Sequence, residues 1–235
     1  MLPRNIEFID LSQTIENGIP LASVLPRFSM WQCLSKKVGD SVNCQAELMT
    51  DHTGTHCDAP RHVFNEGKSI DEYPPEAYSG IAICLDLEKY DGKAITVEAI
   101  KDAELMAVRP IQKDDIVIMC TGHSNKWNPI PEGYEYLKNR PWVDPLAAQY
   151  LIDKKIKAIA IDVGGPDPLG GTRHIIHEML LEKDIMIIES LHNLHKIKNK
   201  EVFLCAFPLK IGGGTGAPTR AVAMIDKDEE ENYCL

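Results

Sequence analysis

The segment HTGTHCDAPRHVF, residues 52–64, gathers three of the eight histidines of the chain beside an aspartate. His52, His56 and Asp58 follow the spacing HxxxHxD, and His62 lies four residues further on. Two imidazoles and a carboxylate are ligands that suit Zn²⁺ or Mn²⁺. The spacing therefore predicts a metal site; the alternative interpretation is a group of histidines used only for packing or at the surface.

The local backbone must bring these side chains together. On a straight strand, residues four apart are separated by roughly 13 Å, which is too far to share one ion. One helical turn would bring the Cβ atoms of His52 and His56 to about 6 Å, but Gly54 and Pro60 disfavour a long helix. We therefore predict a tight turn or short helical piece shaped by Gly54, with threonine hydroxyls available to hydrogen-bond the backbone or a ligand.

A second pair of candidate ligands lies far along the chain. His177 stands in HIIHEMLLEK beside apolar residues, and Glu189 ends the apolar run IMIIE. The carboxyl ends of strands are where α/β folds place their sites, and an unpaired buried carboxylate is very costly. From these two residues alone, a structural salt bridge and a role in the site are both open.

Alternating strand and helix patterns surround these residues. Short β-branched runs predict strands at 6–11, 81–87, 115–120, 157–163, 185–190, 202–207 and 221–226. Helical patterns lie between them at 96–108, 144–155 and 172–183. Thr96 and Asp144 are the predicted N-caps of the first two helices, and Thr172 starts the third. The alternation indicates an α/β domain, with added antiparallel strands near both ends.

The bulk composition suits one sizeable domain, or at most two small ones, in 235 residues. The net charge of −10 has no basic stripe to offset it, so nucleic-acid binding is disfavoured. Seven cysteines without a CxxC pair predict buried free thiols. No signal-peptide pattern is present and no run approaches about 18 apolar residues, so we expect a cytoplasmic protein without a transmembrane helix.

The run GGGTGAP, residues 212–218, is similar to a phosphate-binding loop. It lacks the GKS/T ending of such loops and has no helical pattern behind it. We therefore interpret it as a turn before the last strand.

The segment HTGTHCDAPRHVF resembles HxGTHxDxPxH, the specific signature of the cyclase family of metal-dependent hydrolases. Bacterial kynurenine formamidases and isatin hydrolases belong to this family. Weaker matches extend the resemblance over most of the chain: IDLSQTIENGIP, DEYPPEAYSGIAICLDL, HEMLLEKDIMIIESLHNL and IGGGTGAPTRAVAMI. The resemblance implies an α/β fold of the three-layer β/β/α swivelling type, formed by a single cyclase-like hydrolase domain over 1–235 and assembled as a homodimer or higher homo-oligomer.

The resemblance also implies roles for individual residues. The implied metal ligands are His52, His56, Asp58, His177 and Glu189. The first three would hold one ion, and Asp58 would bridge to a second ion held by the other two. His62 would be the catalytic histidine. Members of the family differ in using one ion or two, and in using Zn²⁺ or Mn²⁺.

Three segments depart from the family pattern of the formamidases. PLASVLPRFSMW, residues 20–31, stands where a Trp-Pro-Gly stretch is usual, and TGHSNKW, with His123, stands in place of TGW. DVGGPDPLGGTRH, residues 162–174, replaces a shorter D-x-x-S-x-D loop. All three fall where we expect substrate contacts, so they leave the metal chemistry intact and the substrate open.

The ligand set indicates hydrolysis. A divalent ion lowers the pKa of its bound water toward roughly 7, supplies hydroxide at neutral pH and polarises a carbonyl oxygen. His62 lies just outside the ligand set, and an imidazole that titrates near neutrality suits a proton shuttle. We expect the opening of a small non-peptide C–N amide bond, with an N-formylkynurenine-like aryl formamide as the leading substrate.

Other interpretations stay open on sequence alone. An isatin-like cyclic amide or a lactone would suit the same chemistry. A true cyclase, which forms a ring, would use the same polarised carbonyl in the opposite direction. A metal-binding protein without chemistry would close the coordination shell with its own donors and would need no extra base such as His62.

Overall fold

A nine-stranded sheet organises the computed structural model, which describes residues 5–22, 24–128 and 135–227. In chain order, the strands are β1 (Ile6–Asp10), β2 (Ser29–Leu34), β3 (Cys44–Leu48), β4 (His56–Asp58), β5 (Ser79–Asp86), β6 (Ala94–Ile95), β7 (Ile116–Cys120), β8 (Trp142–Val143), β9 (Ala158–Ile161), β10 (Met186–Glu189), β11 (Glu201–Cys205), β12 (Gly216–Pro218) and β13 (Val222–Asp226). The α-helices are α1 (Val97–Met106), α2 (Pro145–Lys154) and α3 (Ile175–Leu181).

The main sheet has the order β1-β13-β11-β5-β7-β9-β10-β4-β12. Its central strands β5, β7, β9 and β10 run parallel, whereas the pairs toward both edges are antiparallel. Each of the seven predicted strands is present, and the antiparallel strands predicted near the chain ends are confirmed. The short strands β4 and β12 were not predicted, because three residues carry too little periodicity to be recognised.

The two faces of the central sheet have different coverings. On β5, Ile83 and Leu85 pack in the cluster that contains the three helices, while Ala82 and Cys84 pack with side chains of the outer strands β11 and β13. Strand side chains alternate between faces, so both clusters draw on the same strands. The curled sheet with helices on one side is the expected three-layer β/β/α fold.

The helix starts follow local capping chemistry in two cases out of three. The side chains of Thr96 and Asp144 accept hydrogen bonds from backbone N–H groups at the start of α1 and α2, as predicted. The prediction that the third helix starts at Thr172 is wrong, because α3 begins at Ile175. A carboxylate from outside the helix, that of Asp167, accepts from the backbone N–H groups of its first turn.

The turn before β4 has the shape predicted from Gly54. Gly54 has φ +65°, in the left-handed region that favours glycine. The adjacent Thr55 hydroxyl donates to the Ser190 carbonyl at 2.7 Å and accepts from the Gln13 N–H at 2.8 Å. These bonds fix the turn against two other segments, so β4 leaves it in a defined direction.

The thiols of the described residues are free, as expected, but their burial differs. Cys57, Cys84 and Cys120 are buried, whereas Cys33 and Cys44 lie exposed on the β2–β3 ribbon. For those two, the prediction of burial is wrong, because the ribbon pairs only within itself and offers no covering layer. Within the described ranges, no helix has both the length and the apolar character needed to cross a membrane.

We expect Gly54→Ala to lower the free energy of unfolding by about 1–3 kcal/mol, measured by urea denaturation. A Cβ atom there would lie 2.9 Å from Ile15 Cγ1, and φ +65° is unfavourable for alanine. Gly212→Ala is the matched control, because a Cβ at that position meets nothing within 4 Å, and its change should stay within about 0.5 kcal/mol. Equal stability of the two variants would contradict this account of the turn.

Candidate metal centre

Strand β4 carries two candidate ligands into the centre of the molecule. His56 and Asp58 are two residues apart and share one face of the strand, while Cys57 points to the opposite face. The antiparallel register with β10 sets Glu189 directly opposite His56. Helix α3 adds His177, so sheet pairing and helix packing together bring residues far apart in sequence to one place.

Asp58 is the middle of the resulting cluster. Its Oδ1 lies 2.8 Å from His52 Nδ1 and 3.4 Å from His56 Nε2, and its Oδ2 lies 3.3 Å from His177 Nε2. Glu189 closes the other side, with Oε1 3.0 Å from His177 Nε2 and Oε2 3.5 Å from His56 Nε2. The five candidate ligands are thus brought together, and all five are buried or nearly so.

The second nitrogen of two candidate ligand histidines is anchored, which fixes the tautomer of each neutral ring. His56 Nδ1 donates to the Gly54 carbonyl oxygen at 2.9 Å, and His177 Nδ1 donates to the Asp167 carboxylate. Each neutral ring therefore turns a lone pair on Nε2 toward Asp58 and Glu189. Anchoring of the far nitrogen by a carbonyl or carboxylate is the usual arrangement around metal-binding imidazoles.

His52 is anchored through a two-step relay. Thr215 Oγ1 donates to Asp51 Oδ2 at 2.6 Å and accepts from His52 Nε2 at 2.8 Å, which leaves Nδ1 of the neutral ring facing Asp58. Gly216 allows this close approach, because a Cβ there would lie 2.7 Å from His52 Cε1. The GGGTGAP segment therefore does more than turn before a strand: it orients a candidate ligand.

The hydrogen-bond partners and the charge of Asp58 indicate whether a cation fits the cluster. Both oxygens of the buried Asp58 carboxylate lack a hydrogen-bond donor, although three imidazole nitrogens lie within 3.4 Å. Burial raises the pKa of Asp58, but the adjacent His177 and His52 outweigh burial and hold it well below its ordinary value. An ionised carboxylate that faces lone pairs is repelled unless a positive charge stands between them. The donor set therefore fits a divalent cation.

The pKa values of His177 and His52 are both raised by neighbouring carboxylates. Burial lowers the pKa of His177, but Asp167, Asp58 and Glu189 outweigh it and raise the pKa well above the ordinary value. Burial also lowers the pKa of His52, and Asp58 again reverses the effect, so its pKa is raised. Protons on these rings and a metal ion would compete for the same lone pairs.

His62 lies beside the cluster, on the short 3₁₀ turn Pro60–His62. Its ring centroid is 4.0 Å from that of His52 and 5.4 Å from that of His177. Burial lowers the pKa of His62 to about 4, so the expectation that it titrates near neutrality is wrong. At neutral pH the ring is uncharged and able to accept a proton.

Distances alone allow His62 two roles. Ligand atoms of His52, His56 and Asp58 lie within 4.8 Å of one another, and so do those of Asp58, His62 and His177. His62 is therefore close enough either to act beside an ion or to bind one. The nearby Asp167 and His174 were not recognised from the sequence. His174, an exposed residue just before α3, has its Nδ1 4.0 Å from Oδ2 of the buried Asp167.

A cleft of about 610 Å³ opens over the histidines. The segments that depart from the family pattern all contribute to its wall, including Leu21 and Leu25 from the first, Trp127 from the second and Leu169 from the third. His123, in contrast, lies behind the wall: its Nδ1 contacts Asp91 at 2.5 Å, and its Nε2 donates to the Tyr136 carbonyl at 2.9 Å. The side chains that these three segments add to the cleft are therefore mostly apolar, whereas the histidines line its floor.

Known proteins share this fold and are similar to this sequence over most of its length. The family model described as "Putative cyclase" matches residues 9–168. The kynurenine formamidase of Bacillus thuringiensis (strain Al Hakam) is 30% identical over 218 residues, which cover 92% of this chain and 96% of the relative. The kynurenine formamidase of Geobacillus thermodenitrificans (strain NG80-2) is 30% identical over 91% of this chain and 95% of its own length.

Solved structures with a similar fold are also described as hydrolases. Isatin hydrolase A from Labrenzia aggregata, bound to benzyl benzoate, superposes with a TM-score of 0.83 at 28% identity, covering 94% of each chain. A structure described as a potential metal-dependent hydrolase with cyclase activity has a TM-score of 0.75 at 26% identity, covering 93% of this chain and 98% of its own. Together with the matched family model, these similarities show that the chain belongs to the Putative cyclase family and is a hydrolase.

Proposed function

We propose that this hydrolase opens a small non-peptide C–N amide bond in a metal-dependent reaction, with an N-formylkynurenine-like aryl formamide as the leading substrate. The observation that carries the proposal is the buried Asp58 carboxylate, whose oxygens lack a hydrogen-bond partner although they lie among imidazole nitrogens whose far sides are anchored. The kynurenine formamidase relatives, which align over about nine-tenths of the chain, favour the formamide. One hydrolase domain over 1–235 is part of the proposal.

The metal assignment follows from the donors. In the proposal, His52, His56 and Asp58 would hold a first Zn²⁺ or Mn²⁺ ion, and Asp58, His177 and Glu189 would hold a second. Imidazole and carboxylate donors suit both metals. When bound, a divalent cation polarises a carbonyl oxygen and lowers the pKa of water.

The protein side chains supply the remaining steps. The apolar wall formed by Trp127, Leu21 and Leu25 holds an aryl group and excludes water from the reacting end of the cleft. His62, neutral at pH 7, accepts a proton from the attacking water and returns it to the departing aryl nitrogen. Asp167 and Thr215 hold the His177 and His52 rings in place while this happens.

A cyclic amide of the isatin type is the second candidate substrate. The 28% identical isatin hydrolase A, with its TM-score of 0.83, favours it. Such a lactam also releases an aryl nitrogen that needs one proton, so the same residues would serve. The hydrolase relatives remove the alternative of a metal-binding protein without chemistry.

The proposal includes a homodimer or higher homo-oligomer. Strands β2 and β3 form a separate two-stranded ribbon, on which Trp31 and Leu48 are largely exposed. A two-stranded ribbon is marginally stable in water by itself. Coverage of the ribbon by a second copy would stabilise it.

We expect His52→Ala, His56→Ala and Asp58→Asn each to lower metal affinity by more than about 100-fold, because loss of an outer partner alone costs 10- to 100-fold. Elemental analysis of protein purified without chelator measures the metal content. His195→Ala is the control, since that histidine is exposed and outside the cluster. Full metal content in all three ligand variants would exclude the site as described.

We expect His62→Ala to retain at least one ion and to lose on the order of 10²- to 10⁴-fold in turnover, the usual contribution of a positioned acid or base. Turnover and metal content are measured on the same preparation. A rate close to that of the wild type between about pH 6 and pH 8 would show that His62 is not the proton shuttle. Complete loss of metal would make it a ligand instead.

The substrate is tested by turnover with Zn²⁺ and with Mn²⁺ on N-formylkynurenine, isatin, a simple lactone and a dipeptide. We expect cleavage of N-formylkynurenine, with isatin as the next best substrate, because both release an aryl nitrogen. The Asp58→Asn variant is the blank for each reaction. Cleavage of the dipeptide alone, or of the lactone alone, would overturn the substrate assignment and leave the metal centre unaffected.

A further inference from the structure

Two basic side chains, Lys138 and Arg140, line the cleft beside its apolar wall. They differ in their partners. Lys138 is exposed, and its Nζ lies 3.4 Å from the equally exposed Glu135 carboxylate. Within the described parts of the chain, no carboxylate lies within 4.0 Å of the Arg140 guanidinium. Arg140 is therefore a half-buried cation in the cleft that faces neutral groups.

The donors of Arg140 are only partly used. Nη1 donates to the Gly165 carbonyl oxygen at 2.9 Å, and Nη2 donates to the Asp167 carbonyl oxygen at 3.2 Å. Nε is buried without an acceptor. A guanidinium has five N–H donors, so each terminal nitrogen keeps a second N–H beyond these two bonds. A half-buried charge with unused donors is stabilised strongly by an anion.

The Arg140 guanidinium packs closely against the backbone at Gly165. Gly165 has φ +110°, and a Cβ atom there would lie 2.8 Å from Arg140 Nη1 and 3.2 Å from Nη2. The absence of a side chain at Gly165 therefore lets the guanidinium lie flat against the loop. A long, flexible arginine is held at a defined point of the cleft wall by this contact and by the two carbonyl bonds.

The same loop connects Arg140 to the metal centre. The backbone oxygen of Asp167 binds the guanidinium, while the Asp167 carboxylate binds His177 and the first turn of α3. One residue thus fixes the cation relative to a candidate metal ligand. A substrate held at both points would have one orientation in the cleft.

We propose that Arg140 forms a carboxylate-binding subsite of the cleft and is thereby a residue that determines which ligands the cleft accepts. Its bearing on substrate choice rests on the proposed function, whereas the anion subsite stands on the Arg140 geometry alone. The planar fork of arginine matches the two oxygens of a carboxylate, and the apolar wall beside it suits an aryl ring. Lys138, which already has a carboxylate partner, is not the binding cation.

Calorimetric binding of benzoate and of benzamide to the metal-loaded protein tests the subsite without turnover. The two probes share the ring and differ in the charge of the head group. We expect Arg140→Met to weaken benzoate binding roughly 10- to 100-fold, which is the effect of losing a hydrogen bond to a charged group. Benzamide binding should be unchanged, because benzamide carries no charge. The matched control Lys138→Met should leave both unchanged.

Three results would overturn the Arg140 subsite. The first is an unchanged benzoate affinity in Arg140→Met, and the second is an equal loss for both probes, which indicates a deformed cleft. The third is a benzoate affinity that depends on metal content but not on Arg140, which would place the carboxylate on the metal. Arg140→Gln, which keeps an amide donor for the loop carbonyls, replaces Arg140→Met if that variant loses metal or does not fold, with the same loss expected. Failure to cleave any amide would count against the proposed function only.

Discussion

The burial of the Asp58 carboxylate is the constraint on which the centre of this structure depends. A carboxylate without a hydrogen-bond donor is expensive to bury, and this one is placed among imidazoles whose far nitrogens are already anchored. An apolar side chain at this position would avoid the free-energy cost of burying a carboxylate. With Asp58 present, the pairing of β4 between β10 and β12 keeps the carboxylate in the buried position. The arrangement is favourable only with positive charge at its centre, as protons on His52 and His177 or as a metal ion.

Anchoring of the imidazoles explains why separate loops converge on the site. Asp51 and Thr215 hold His52, the Gly54 carbonyl holds His56, and Asp167 holds His177. Each anchor sits in a turn or loop next to a strand or helix end, where the backbone is free of ladder hydrogen bonds. The elements fix the positions of the ligands, and the loops fix the orientations of their rings. A donor set held in this way needs little rearrangement to bind an ion.

The sequence predicted what depends on local pattern. Long apolar runs identified the central strands, Thr96 and Asp144 identified two helix starts, and the spacing HxxxHxD identified the cluster. Contacts made only by tertiary packing were not predictable. Asp167 starts α3 from eight residues upstream of Ile175, in place of a cap beside the helix. The pKa of His62 depends on burial by neighbouring segments that its sequence context does not reveal.

Chemistry and selectivity are divided between different parts of the fold. The candidate ligands lie on a strand pair, a helix and a tight turn, all of which are packed against the core. The cleft wall lies on loops, where substitution does not disturb that packing. The Arg140–Gly165 contact shows how the two parts are coupled: a glycine without a side chain accepts a guanidinium, and the next residue but one, Asp167, orients a candidate ligand. We therefore expect changes in this loop to alter substrate binding while the candidate ligands stay in place, and Asp167 must satisfy both requirements.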